Sequence, residues 1–251
     1  MTRVAVVSLA TDAAGGTRDT GLAAALHLAG LGLDIALLDA DPPTAAEAAE
    51  QISAGGQRCA AVAADLADSA SVNAALNHVR SELGSPSVLL NCVPLGSPEP
   101  LAAEERYAEA RRSLRALFVC CRAVCTHMVR GRWGRIVNIA HPVGADEAGD
   151  REWRDGQTVL GGLVGFTRSA ALELAGYGIT ANYIAPTGCY PAGPAPAPAP
   201  PLAAAASRDA SSYSAGVASL TGFLISDQAS AITGQGGYLA GRPAVPSASG
   251  E

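Results

Sequence analysis

Short apolar runs alternate with helix-length segments along nearly the whole chain, and this alternation leaves few folds open. Arg3–Leu9, Ile35–Asp39, Cys59–Ala64, Ser87–Asn91, Arg135–Ile139, Ile179–Ile184 and Gly236–Leu239 are strand-like: short and apolar, several of them rich in Val, Ile and Leu. Between them Leu22–Leu31, Thr44–Ala54, Ser71–Leu83, Glu104–Met128, Val159–Leu174 and Ser212–Leu224 carry helical patterns. Strands joined through helices run parallel, by right-handed crossovers. The expected fold class is therefore α/β, a single Rossmann-like doubly wound parallel sheet with helices on both faces. The 251 residues suit one domain over 1–242, followed by a flexible tail at 243–251. Within it, 190–206 is a Pro/Ala-rich irregular insert, because proline at alternate positions excludes both helix and sheet.

Composition narrows the class of partner. Aromatic residues make up only 4% of the chain against 49% apolar, so the core must be built from Ala, Val, Leu and Ile. The net charge is -6 and no basic block stands out, which argues against nucleic acid. No apolar run reaches the roughly 18–20 residues of a membrane span. The start, Met1-Thr2-Arg3-Val4, enters a strand at once without a signal-peptide layout, and the expected location is cytoplasmic. Six cysteines (59, 92, 120, 121, 125 and 189) form no disulfide framework. Cys121, Cys125 and His127 invite a metal reading, but His127 leaves the helix face that the two cysteines share. They are expected to be buried thiols, with no metal bound.

All 17 cationic residues counted as Lys+Arg are arginine. No mechanism that needs a lysine side chain can run on this chain alone.

Ordered segments make the chain resemble the short-chain dehydrogenase/reductases, of the ketoreductase type, over residues 3 to about 242. They are Leu38-Asp39, Ala64-Asp65-Leu66, Gly134-Arg135-Ile136-Val137-Asn138-Ile139, Gly162-Leu163-Val164-Gly165-Phe166, Gly178-Ile179-Thr180-Ala181-Asn182, Ala185-Pro186 and Ile232-Thr233-Gly234. The resemblance implies cofactor-binding roles for Asp39 (adenosine ribose), Asp65 (adenine) and Asn91, all read here as vestigial. The family's glycine-rich phosphate loop is damaged: counting back from Gly30 puts Thr17 and Asp19 where its last two glycines belong. Its motif after the fourth strand reads Asn91-Cys92-Val93-Pro94, and Thr187 follows Ala185-Pro186 where a glycine is usual.

The family's proton-transferring tyrosine needs a lysine beside it, since a phenol near pKa 10 is a poor acid or base at neutral pH. The resemblance sets the tyrosine at Gly156, the lysine at Leu160, the serine at His141 and the helix asparagine at Ser113. The expectation is thus a homologue without the Ser-Tyr-Lys residues, with no cofactor or only weakly held NAD. It is expected to serve as a noncatalytic subunit of an active relative. A homologous subunit, or a second copy in a homodimer or tetramer, would pack on helices 104–128 and 158–174, as the family does. Gly161, Gly162, Gly165, Ala170 and Ala171 permit close approach there.

Two other readings stay open. One is a repurposed enzyme doing a lysine-free, non-redox step (dehydration, isomerisation or cyclisation). His141 at the cleft mouth would act with Asp146 or Asp150, and Ser113 or Tyr190 would be lesser candidates. The other is an NAD-dependent oxidoreductase with a rearranged site.

Overall fold

The computed structural model describes residues 2–9, 16–96, 101–141, 150–186 and 210–239. The insert at 190–206, the tail from 243, Asp146, Thr187, Cys189 and Tyr190 lie outside them. Seven strands form one parallel sheet: β1 (Val4–Leu9), β2 (Asp34–Asp39), β3 (Cys59–Ala63), β4 (Pro86–Pro94), β5 (Gly134–His141), β6 (Ile179–Pro186) and β7 (Gly236–Leu239). Their order is β3-β2-β1-β4-β5-β6-β7. The sheet reverses direction of growth between β1 and β4, the switch point beside which such sheets take ligands at their C-terminal edge. The family-level expectation of a doubly wound parallel sheet holds.

Among the described residues six α-helices cover it: α1 (Gly16–Gly30), α2 (Pro42–Ala54), α3 (Ser69–Glu82), α4 (Ala103–Gly131), α5 (Asp150–Leu174) and α6 (Ala210–Ile225). Period-two alternation sorts the strand side chains between two cores. Val4, Val6, Leu89 and Ile136 face α3, α4 and α5. Ala5, Val7, Leu90 and Val137 face α1, α2 and α6. Asp68 caps α3, its carboxylate accepting from the Ala70 and Ser71 N–H groups at 3.4 and 3.0 Å. Within the described residues no helix is long and apolar enough to cross a membrane.

Two boundaries differ from the sequence reading in ways that reach the site. The helix is expected from Leu22, yet α1 is already helical from Gly16. The glycine that turns the chain after α1 is Gly32, at φ +88°, two residues beyond the Gly30 from which the loop was counted. Counted from Gly32, the last motif glycine is Gly21 rather than Asp19. A Cβ there would come within 2.5 Å of Leu9 Cδ2 and 2.9 Å of Cys92 Sγ, so Gly21 supplies the close helix–strand packing that this glycine provides. Second, β4 does not stop at Asn91. It pairs with β5 as far as Pro94 opposite His141, and the Leu95 N–H then donates to the His141 carbonyl at 2.8 Å.

Candidate functional site

The extension of β4 decides what the C-terminal edge of the sheet can hold. Leu95, carried forward by that pairing, is buried, and its backbone lies against α5 at Gly156. A Cβ on Gly156 would stand 2.8 Å from the Leu95 carbonyl oxygen. Leu160, one turn further on, is buried in the apolar cluster between α4, α5 and the sheet. The two positions that the resemblance sets for tyrosine and lysine are thus occupied by a backbone crossing and a core leucine.

His141 closes β5 and is 3% exposed, so it does not sit at the cleft mouth as expected. The cause is strand alternation: it shares the parity of Val137 and Ile139 and is directed to the α6 side. There its ring meets Tyr213 edge-on, with centroids 6.0 Å apart. Tyr213, fully buried, donates its phenolic O–H to the Ala140 carbonyl at 3.1 Å. The sequence reading overlooked this tyrosine, which is 57 residues beyond Gly156 in the chain; no local pattern marks such a contact. Asp150 opens α5, and its side chain lies outside the described ones, as does Asp146 altogether, so the proposed carboxylate partners of His141 are not placed.

On the opposite side of the sheet a buried polar chain ties the strands together. Ser8 Oγ donates to Asn91 Oδ1 at 3.2 Å, Asn91 Nδ2 to Asn138 Oδ1 at 2.8 Å, and Asn138 Nδ2 to Thr167 Oγ1 at 2.9 Å. Thr167 in turn donates to the Leu163 carbonyl at 2.7 Å. Asn91 also donates to Cys121 Sγ at 3.3 Å. The amide of Asn91, expected on the cofactor, is therefore engaged inside the fold. Its energetic role is cross-linking of β1, β4, β5 and α5.

Asp39, at the end of β2, is fully buried and held by Arg18: Nε donates to Oδ2 at 3.0 Å and Nη2 to Oδ1 at 3.1 Å. Asp65 is half-exposed and accepts from Arg112 Nη2 of α4 at 2.9 Å and from the Ala67 N–H at 3.0 Å. Ser113, also on α4, is buried and lines a cavity of about 100 Å³ with Ser8, Asp65, Asn91, Pro94 and Arg112.

Of the residues that the resemblance assigns to a nicotinamide dinucleotide, Asp39 is held by Arg18 and Asn91 by Asn138, and Leu95 lies against α5 at Gly156. Burial pushes the thiols of Cys92 and Cys120 up to about 12 and Cys125 to about 11, and raises Cys121 well above its usual value. These thiols are neutral packing groups at pH 7, as expected for them. His127 is shifted down by burial and by Arg80 and Arg130.

Comparison with known proteins adds three likenesses and a family match. Residues 13–194 match the short chain dehydrogenase family. The chain is 44% identical over 252 residues to a short-chain dehydrogenase/reductase family member, NovK, from Streptomyces niveus, covering 98% of each chain. It is 31% identical over 183 residues to the (2S)-[(R)-hydroxy(phenyl)methyl]succinyl-CoA dehydrogenase subunit BbsD of Thauera aromatica, covering 72% of this chain and 71% of that one. Among solved structures, the NADPH-dependent reductase YwfH, involved in bacilysin biosynthesis, superposes with a TM-score of 0.73 at 22% identity. That match covers 96% of this chain and all of the other, and it speaks to fold alone.

Proposed function

Because the chain belongs to the short-chain dehydrogenase family, we propose that it is a noncatalytic member that works as a subunit beside an active relative. The observation that carries this is the Leu95–Gly156 crossing in a chain without lysine. Hydride transfer in the family's manner needs a phenol with a lysine beside it, and the chain has no lysine and, at the positions the resemblance sets, Gly156 and Leu160. NAD is expected to bind weakly if at all.

The surface left by α4 and α5 supports association. Phe118 is half exposed and meets Phe166 edge-on at 6.2 Å, and Leu172 is 83% exposed. The small residues of α5 divide by direction. A Cβ on Gly162 would strike Leu114 at 2.7 Å and Ala171 is buried, so both serve internal packing. Gly161 and Gly165 have open space beside them, which leaves room for a second chain's helices. One relative, BbsD, is named as a dehydrogenase subunit, a precedent for multi-chain enzymes in this family. An isologous pair of two copies would use the same faces; a homologous active subunit is preferred because two copies of this chain would bring no evident chemistry.

Burial of His141 against Tyr213 weighs against the repurposed-enzyme reading. The test is coexpression with dehydrogenases of the same family that retain tyrosine and lysine, followed by native mass measurement. A stable mixed assembly supports the proposal. A homo-oligomer that ignores every such chain and converts a metabolite by itself overturns it.

A further inference from the structure

The outer face of α4 and α5 carries a charge pattern that the fold itself does not require. Two contacts run the helices in step: Leu114 packs on Gly162 and, one turn on, Phe118 packs on Phe166. Both pairs have the same offset along the chain, so Arg168 lies level with the stretch between Phe118 and Arg122. Arg111, Phe118 and Arg122 recur at helical spacing and form one outward row on α4. Arg111, Arg122 and Arg168 are exposed, and none has an ion-pair or hydrogen-bond partner among the described residues. They frame the apolar and open surface of Phe118, Gly165 and Leu172. Among the described side chains of the two helices, the carboxylates lie elsewhere. Glu104 is in the first turn of α4, and Glu173 is in the last turn of α5, where Ser169 Oγ donates to it at 3.2 Å. Glu105 accepts from the Ala102 N–H at 2.9 Å, and Glu109 lines the small cavity with Ser113. In a chain of net charge -6, the middle of this face is cationic.

That pattern makes two copies a poor match. An isologous pair sets the same patch of each chain against the other. Three arginines from each copy would then surround one apolar contact. Like charges repel, and the repulsion grows as water leaves the contact. Carboxylates in the corresponding places would instead turn the same arginines into cross-chain ion pairs, since the guanidinium fork fits a carboxylate. We propose that Arg111, Arg122 and Arg168 select the partner of this face by charge. The occupant is a homologous subunit whose own two helices present carboxylates opposite them, and a second copy of this chain is disfavoured. That the occupant is a homologue rests on the noncatalytic-subunit reading; the charge rule does not, so its probe is made from this chain.

The probe is the full chain with the face reversed, Arg111→Glu/Arg122→Glu/Arg168→Glu, carrying a mass tag. Wild type, probe and an equimolar mixture are followed by native mass measurement, and by sedimentation at low salt and at about 0.5 M salt. At low salt the mixed pair is expected to be at least about tenfold tighter than either self-pair, and this advantage is expected to shrink at high salt. A second variant, Arg111→Gln/Arg122→Gln/Arg168→Gln, removes the repulsion without adding charge and guards against a folding failure of the probe. It is expected to self-pair more tightly than the wild type. Pairing of wild type and probe in statistical proportion, no mixed pair at all, or a neutral variant that self-pairs no better than the wild type overturns the proposal. The two readings fail separately. Statistical mixing here, beside a stable assembly with an active relative, sinks charge selection alone. Preferential mixing here, with no active relative joining the chain, leaves charge selection standing and sinks the subunit reading.

Discussion

The carbonyl oxygen of Leu95, the residue after β4, lies 2.8 Å from the point a Cβ would occupy on Gly156 of α5, the position the resemblance sets for the family's tyrosine. Gly156→Tyr with Leu160→Lys is therefore expected to leave the chain without dehydrogenase activity, because the new ring must displace backbone. It would also bury an ammonium in the apolar cluster that holds Leu160. Together the changes should lower stability by about 3 kcal/mol or more, read by urea unfolding. Recovery of NADH-dependent turnover in this variant would show the Leu95–Gly156 crossing to be no obstacle.

Association should depend on the outward side of α5. Gly165→Leu removes a helix-weakening glycine at a position with open space beside it, so the isolated chain should be as stable as before or slightly more so, within about 1 kcal/mol. Its mixed or self assembly should weaken, measured by sedimentation at several concentrations. Unchanged assembly would place the interface elsewhere.

The buried polar chain predicts a stability loss without a local one. Asn138→Leu removes the acceptor of Asn91 Nδ2 and a donor to Thr167, both deep in the sheet. A cost of about 1–3 kcal/mol is expected from the orphaned groups. A neutral result would mean that the network contributes little beyond packing.

The thiols give a pH prediction with a definite sign. Cys59, Cys92 and Cys120 are raised from 9.0 to about 12 by burial. A group raised in the folded state favours folding fully below its unfolded value, and that advantage is lost as pH climbs toward the folded one. Stability should be flat through pH 8 and fall between pH 9 and pH 12, and iodoacetamide at pH 8 should modify Cys92 and Cys120 only after unfolding. Site-resolved mass spectrometry checks both cysteines; rapid native labelling would contradict their burial.

Much of this was legible in the sequence, and the rest was hidden for physical reasons. The strand–helix alternation located each of the seven strands and six α-helices of the described residues, because short apolar runs and helix-length segments leave traces in the sequence. The absence of lysine is a local fact, while Gly156 and Leu160 stand in the tyrosine and lysine positions by the resemblance alone. Three features were not local. The extension of β4 to Pro94 depends on pairing with β5 across the sheet, and nothing in Cys92-Val93-Pro94 announces it. The ion pair between Arg18 and Asp39 joins residues on different elements, and Arg18 lies before the Leu22 at which the helix was expected to begin. The inward turn of His141 follows from strand parity, which extends two residues further than the sequence pattern marked. Counting from Gly30 rather than Gly32 misplaced the motif glycine by two positions, because only the backbone angle distinguishes the helix's last residue from the turn.

The most direct measurement is turnover by a mixed assembly of this chain with an active relative in which the relative's catalytic tyrosine has been changed to phenylalanine. The account predicts that the unmodified assembly reduces its substrate with a nicotinamide cofactor and that the altered one is inert, since every proton transfer runs through the relative. Turnover that survives the loss of that tyrosine, and that disappears when residues at the C-terminal edge of this chain's sheet are changed, would contradict it.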